Sequence, residues 1–502
     1  MGQNLAARVG AILELDPARN AIEYQQRQWC WGELKAAMQA FEALLQGQCI
    51  GTGAPVGMLL RNRPASFAAM LQVLLSGRCV VTINPFQSPE KVAADIAALD
   101  CPVYVADAQD WAIPQLRDAV AGVDSLGISL SQDDALEATF IRGLDQPGEK
   151  THAAALPGIG ILMLTSGTTG PAKRIQLAYA NLERALLDAQ FYETGGKEAA
   201  PQLRNAVVLA TQPLVHIGGI WAVVSAVLSG RGIVLLEKFS VEAWHDAVRR
   251  HKLKLAALPP TAIRMIFDAN VPKEDIASLL AIRSGTAPLD PEFQQAFEAR
   301  YGIPILNSYG ATEFAGGVAG WTLDDHRKHA HAKRASVGRA QPGCELRIVD
   351  REGFAPLPAG EVGLLEVRAK HVGNGEWMRT TDLAELDADG FLYIRGRADD
   401  AIIRGGFKVL PSDVAKVFLK HPSVKDASVV GLEDERLGAV PVVAVELREG
   451  APLPTMDELM ALARRDLTSY QIPVAIRIVD ELPRTPSLKI SQPGVRALFE
   501  GA

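Results

Sequence analysis

The segment Ile161-Leu162-Met163-Leu164-Thr165-Ser166-Gly167-Thr168-Thr169-Gly170-Pro171-Ala172-Lys173 is the most informative stretch of this 502-residue sequence. Its first four residues are apolar and read as a buried strand. They run into a loop of Ser, Thr and Gly that ends on Lys. Glycines let the backbone approach an anion closely and aim its N–H groups at it; the hydroxyls add donors and Lys173 adds a charge. That chemistry suits a polyphosphate. The spacing is not GxxxxGK followed by Ser or Thr, because the order here is Gly167, Gly170, Lys173, Arg174. By composition alone the same string is an ordinary turn.

Around this loop the chain alternates strand and helix signals. Upstream, Gly32 to Leu45 has helical spacing, Pro55 to Leu60 reads as a strand, Pro64 to Ser76 as a helix and Cys79 to Ile83 as a strand. Ser88-Pro89-Glu90 is a helix start, and Val103-Tyr104-Val105 a strand. Downstream, strands are expected at Val207–Ala210, Gly232–Leu236, Leu255–Leu258 and Ala281–Arg283. This repetition implies parallel sheets covered by helices. From Glu345 the style changes to short strands with turns, a small all-β portion. A boundary falls near Arg397-Ala398-Asp399-Asp400, and the residues beyond have their own α+β pattern, with a helix opening at Pro411. The expected architecture is α/β: a large N-terminal domain (1–398) of helix-covered sheets with a small β subdomain, and a small, mobile α+β C-terminal domain (399–502).

Composition narrows the function. Charged residues make up 22% and the formal net charge is −7, which argues against broad binding to nucleic acid or an anionic membrane. The five cysteines are scattered, odd in number and without a CxxC pair, so a reducing, cytoplasmic setting fits better than a disulfide scaffold. The N-terminus lacks the pattern of a signal peptide. The longest apolar stretch, Leu214 to Leu228, is too short for a membrane span and reads as a buried core helix. His326, His329 and His331 share their stretch with four charged residues and read as a solvated loop rather than a metal site.

Further strings follow the loop in order. They are Ser284-Gly285-Thr286-Ala287-Pro288-Leu289, Asn307-Ser308-Tyr309-Gly310-Ala311-Thr312-Glu313, Thr380-Thr381-Asp382, and Gly390 to Asp400. Last come Gly405-Gly406-Phe407-Lys408-Val409-Leu410-Pro411 and Pro483-Arg484-Thr485-Pro486-Ser487-Leu488-Lys489-Ile490. Each alone is a turn or a charged surface segment. Their number and order resemble the adenylate-forming superfamily, which includes acyl- and aryl-CoA synthetases, adenylation domains of peptide synthetases and firefly luciferase. The sequence departs from that pattern at Arg174, Thr381 and Leu488, where glycine is usual.

The resemblance implies a division of labour. Thr165, Ser166, Gly167, Thr168, Thr169, Gly170 and Lys173 would cradle the β- and γ-phosphates of ATP. Gly285, Ala287, Pro288, Ser308, Tyr309, Gly310 and Ile394 would line the nucleotide, with Tyr309 stacked on the purine. Asp382 would accept from the ribose hydroxyls, and Arg397 would donate to ribose or phosphate. Thr312 would bond an oxygen, and Glu313 would hold Mg²⁺. His216 would border the acyl pocket, although a satisfied core histidine is an equal reading. Lys489 would be the catalytic lysine and Asp399 the hinge. Gly405, Gly406 and Lys408 would meet the pantetheine arm of coenzyme A. The activity implied is an ATP-dependent carboxylic acid–CoA ligase working through an acyl-adenylate, on an aromatic or medium-chain acid, with room for a homodimer. Two alternatives are an acyl-AMP ligase that loads a carrier-protein thiol and a non-catalytic nucleotide-binding homologue.

Overall fold

The computed structural model describes residues 4–148, 152, 154–165, 173–193, 200–372, 375–485 and 488–500. Its centre is a seven-stranded sheet in the order 137–140, 126–131, 103–107, 55–59, 79–83, 159–165, 173–178. The strands Pro55–Leu59, Cys79–Ile83 and Val103–Asp107 are buried at every position, as parallel strands covered on both faces must be. Close packing is visible at Gly57: a Cβ there would sit 2.3 Å from the ring of Tyr104. Helices start where expected, with Pro at the first turn of Pro64–Leu75 and of Pro89–Leu99.

The sheets are mixed, not purely parallel. Both edges of the central sheet are antiparallel, and Lys173–Ala178 folds back on Ile159–Thr165. A second sheet joins Val207–Ala210 and Gly232–Leu235 to an N-terminal hairpin, Asn20–Tyr24 with Arg27–Cys30. That hairpin turns on Gln25 and Gln26, both at positive φ, 51° and 64°. Two-residue turns of this kind favour Asn or Gly, so the sequence carries no signal for it. A third sheet runs Leu255–Leu258, Ala281–Ser284, Ile305–Ala311, Gly316–Gly320, Arg339–Ala340.

The small β portion is a four-stranded antiparallel sheet of Cys344–Val349, Gly363–Ala369, Met378–Leu386 and Leu392–Arg397. Met378–Leu386 escapes a reading by apolar pattern because Arg379, Thr380, Thr381 and Asp382 occupy it. After Arg397 the next strand, Ile402–Arg404, pairs in a different sheet, with Phe407–Val409 and with Gly438–Leu447. That C-terminal sheet has its own core, including Val414, Phe418, Val429, Val443, Val445 and Leu459. The chain is thus a large α/β N-terminal domain followed by a small α+β one.

One expectation is corrected. The stretch of His326 and His329 is not a solvated loop but a helix, Leu323–His329, capped by Thr322, whose Oγ1 accepts from the Asp325 amide at 3.0 Å. His326 lies 3.1 Å from Glu298 and edge-on to Trp321. No group of three metal-ligating side chains occurs among the described residues, and no helix among them is long and apolar enough to cross a membrane. Ile217–Leu228 is a short helix with most of its residues buried.

Candidate active site

Most of the candidate residues converge on a single cleft of about 3690 Å³ between the large domain and the C-terminal loop that carries Lys489. Antiparallel pairing sets Thr165 opposite Lys173, so both ends of the hydroxyl- and glycine-rich string lie at one edge of the central sheet. Ser166, Gly167, Thr168, Thr169 and Gly170 lie outside the described residues. Arg174 has a role in the sheet: its guanidinium donates to the Thr82 carbonyl at 3.0 Å and pairs with Asp95 at 3.0 Å.

The third sheet supplies one wall. Parallel pairing of Ala281–Ser284 with Ile305–Ala311 puts the turn at Gly285, Ala287 and Pro288 beside Ser308. Ser308 Oγ donates to the Ser284 carbonyl at 3.0 Å. A Cβ on Gly285 would lie 2.8 Å from that hydroxyl, and one on Gly310 would lie 2.3 Å from the Gly316 carbonyl. Both positions therefore need glycine to keep the wall thin. Thr312 and Glu313 follow on a short 3₁₀ turn, and both face the cleft.

The four-stranded β-sheet supplies the opposite side. Asp382 and Arg397 are register partners on adjacent strands. The Tyr309 hydroxyl donates to Asp382 across 73 residues of chain. Burial and the Asp382 carboxylate push the Tyr309 hydroxyl far above its usual range. Burial also raises Asp382, and Asp399 and Asp400 add to that shift. Ile394 packs on the same apolar cluster as Tyr309. Arg397 grips Asp399 with two bonds, of 2.9 and 2.7 Å, and donates to Thr381 Oγ1 at 2.8 Å. Asp399 is thereby tied to the last strand of the large domain.

The cleft also accounts for His216. It precedes the helix Ile217–Leu228, and its Nε2 is buried without a hydrogen-bond partner among the described residues. Burial, and then the positive charge of Lys489, push its pKa down to about 4. That value makes the neutral imidazole the form present at pH 7. Lys489 is itself half-buried, and the loss of solvent lowers its pKa. Trp221, from the same helix, forms one end of this region: a Cβ on Gly316 would lie 3.3 Å from its ring.

Gly405, Gly406 and Lys408 are elsewhere. They form an exposed hairpin between Ile402–Arg404 and Phe407–Val409, with Gly405 and Gly406 at φ 56° and 86°. Phe407 stacks on Tyr470, with ring centroids 4.8 Å apart. None of the three glycine or lysine residues borders the cleft in this arrangement.

The residues present suit a nucleotide with its metal. Mg²⁺ usually takes one or two carboxylates and completes its shell with phosphate oxygens and water, so Glu313, one of several carboxylates lining the cleft, would suffice as the protein ligand. Motif reading missed Thr261, since an isolated Thr carries no local signature.

Comparison with known proteins bears on this arrangement. A family model described as AMP-binding enzyme matches residues 12–377, and its companion, AMP-binding enzyme C-terminal domain, matches residues 413–489. The chain belongs to the AMP-binding enzyme family. Its relatives include sulfoacetate–CoA ligase of Cupriavidus necator, 31% identical over 88% of this chain and 87% of the relative. Another is 4-coumarate–CoA ligase 3 of Oryza sativa subsp. japonica, 28% identical over 93% and 87%. A third, 2-succinylbenzoate–CoA ligase of Bacillus velezensis, is 28% identical over 97% of each chain. The fold is shared with ATP-bound MatB of Rhodopseudomonas palustris, at a TM-score of 0.83, 22% identity and coverage of 100% and 99%. It is also shared with the o-succinylbenzoate CoA synthetase of Bacillus subtilis in complex with its acyl-adenylate, at 0.78, 24%, 100% and 99%.

Proposed function

We propose that this family member is an ATP-dependent carboxylic acid–CoA ligase that forms an acyl-adenylate and then a thioester. The observation that carries the reading is the convergence of Lys489, His216, Thr312, Glu313, Tyr309 and Asp382 on one cleft. The relatives named as CoA ligases support it. A carboxylate is a poor acyl donor because its leaving group would be oxide. One carboxylate oxygen attacks the α-phosphorus of ATP, the bond to pyrophosphate breaks, and an acyl-AMP results. Charge builds on phosphate oxygens, so the chain's work is positioning and electrostatic stabilisation.

In this reading Lys489 meets the α-phosphate, and Thr165 to Lys173 hold the β- and γ-phosphates. Gly285, Ala287, Pro288, Ser308, Tyr309, Gly310 and Ile394 receive the adenosine, while Asp382 and Arg397 face its ribose. Mg²⁺ held by Glu313 would neutralise phosphate charge. The neutral His216 keeps a like charge away from Lys489 and borders the acid. The acid would lie between the Ile217–Leu228 helix and the Gly310–Gly317 backbone, with Trp221 limiting its depth. That slot favours a compact aromatic or medium-chain acid. In the second half-reaction the CoA thiol attacks the acyl carbonyl and AMP leaves. The 399–502 domain would turn about Asp399 to bring Gly405, Gly406 and Lys408 to the pantetheine. The five unpaired cysteines fit a cytoplasmic location.

A screen of carboxylic acids by pyrophosphate release, with and without CoA, tests the reading. Acid-dependent release, with thioester formed when free CoA is added, is the expected result. No release with any acid would overturn it. Adenylation without transfer to free CoA would point to a carrier-protein thiol instead.

A further inference from the structure

We propose that Thr261 is a positioning residue for adenylation: it seats the loop that carries Lys489 by holding the carbonyl of Leu488. The inference rests on the reading of Lys489 above and adds the residue of the large domain that fixes it. Thr261 lies in the first turn of the helix Pro260–Asp268. Its hydroxyl donates to the Leu488 carbonyl at 3.1 Å, across 227 residues of sequence. That carbonyl belongs to the same peptide unit as the Lys489 N–H. The Lys489 N–H in turn donates to Thr485 Oγ1 at 3.3 Å, and the Thr485 N–H donates to the Lys489 carbonyl at 2.7 Å. A long, flexible side chain reaches one point reproducibly only if its backbone is held, and this net holds it on both sides.

Two further contacts converge on the same spot. Leu488 adopts a left-handed φ of 62°, a region that favours glycine, yet its side chain packs on the apolar cluster that includes Ala262, Ile263, Ile266 and Phe293 of the large domain. Arg484 bridges the two domains. Its Nη1 lies 3.4 Å from Thr261 Oγ1, and its Nη2 donates to Asp426 at 3.0 Å and to the buried Glu446 at 3.1 Å. The Thr261 bond therefore exists only while Lys489 is in the cleft, and it favours the first half-reaction specifically.

Thr261→Val keeps the shape and removes the donor; Thr261→Ser keeps the donor. With the acid selected by the screen, Thr261→Val should lower kcat for pyrophosphate release about five- to tenfold and leave the KM for ATP within about twofold. Conversion of synthetic acyl-AMP and CoA to thioester should change by less than about twofold, and Thr261→Ser should restore adenylation. A second readout needs no acid. Acetic anhydride labelling of Lys489, followed by mass spectrometry and referenced to the exposed Lys328, should run several-fold faster in Thr261→Val and at the parental rate in Thr261→Ser. Parental labelling in Thr261→Val, equal loss of both half-reactions, or no rescue by Ser would overturn the proposal. If Lys489→Ala keeps full adenylation, the reading of the lysine fails instead, while the labelling still reports on Thr261.

Discussion

The C-terminal domain carries two lysine-bearing segments with opposite surroundings. The loop around Lys489 is inserted in the cleft, bonded by Thr261 and packed through Leu488. The hairpin at Gly405 and Gly406 is exposed, and nothing lies within 4 Å of where a Gly406 Cβ would sit. One domain presents both, and in this arrangement only one lines the cleft. The difference teaches that a two-step reaction can share one cleft if the segments take turns. In the exposed hairpin the two glycines form a tight turn, and Phe407 is left largely open to solvent.

The sharpest way to break this contrast is Lys489→Ala. Removing this ammonium should cut acid-dependent pyrophosphate release by roughly a hundred- to a thousandfold, as loss of an electrostatic stabiliser typically does. Conversion of supplied acyl-AMP to thioester should fall far less. Equal loss in both assays would erase the distinction between the two segments.

A second variant attacks the other segment. Gly406→Val places a β-branched residue at a φ of 86°, where L-residues are strained by about 1–2 kcal/mol. Thioester formation should drop about tenfold and pyrophosphate release should change less, the mirror image of the lysine variant. Stopped-flow measurement of each half-reaction reads both.

The smallest effect concerns His216 and stability. Its pKa falls from 6.5 to about 4 on folding, so between those values the unfolded chain binds more protons. The stabilising contribution is complete above pH 6.5 and is lost as pH falls towards 4. His216→Gln should flatten the pH dependence of the unfolding free energy, read from urea titrations, in that window by at most about 1.4 kcal/mol per pH unit. Lys489→Ala should raise the His216 pKa slightly, since the lysine is a smaller cause than burial. An NMR titration showing no upward movement would place the lysine away from the imidazole.

Strands buried on both faces, such as Cys79–Ile83, were legible because continuous apolar runs and proline-led helices are local signals. Met378–Leu386 was not, since the polar residues that face the cleft break its pattern. The N-terminal hairpin was hidden for another reason: Gln25 and Gln26 adopt left-handed backbone without the residues that usually announce it. In the site, the motif residues and their order were legible. The Tyr309–Asp382 bond and the seat of Leu488 on the large domain were not, because neither side of such a contact marks the other in sequence.

By itself the sequence determined the chemistry available: hydroxyls, glycines, carboxylates and a distant lysine, in an order that specifies an adenylate-forming fold. Only the tertiary structure decided which C-terminal segment occupies the cleft, that His216 is buried there, and that Thr261 meets Leu488. Local sterics and burial periodicity are written in neighbouring residues. Domain docking includes contacts between residues more than two hundred positions apart, and their geometry exists only once both domains have folded.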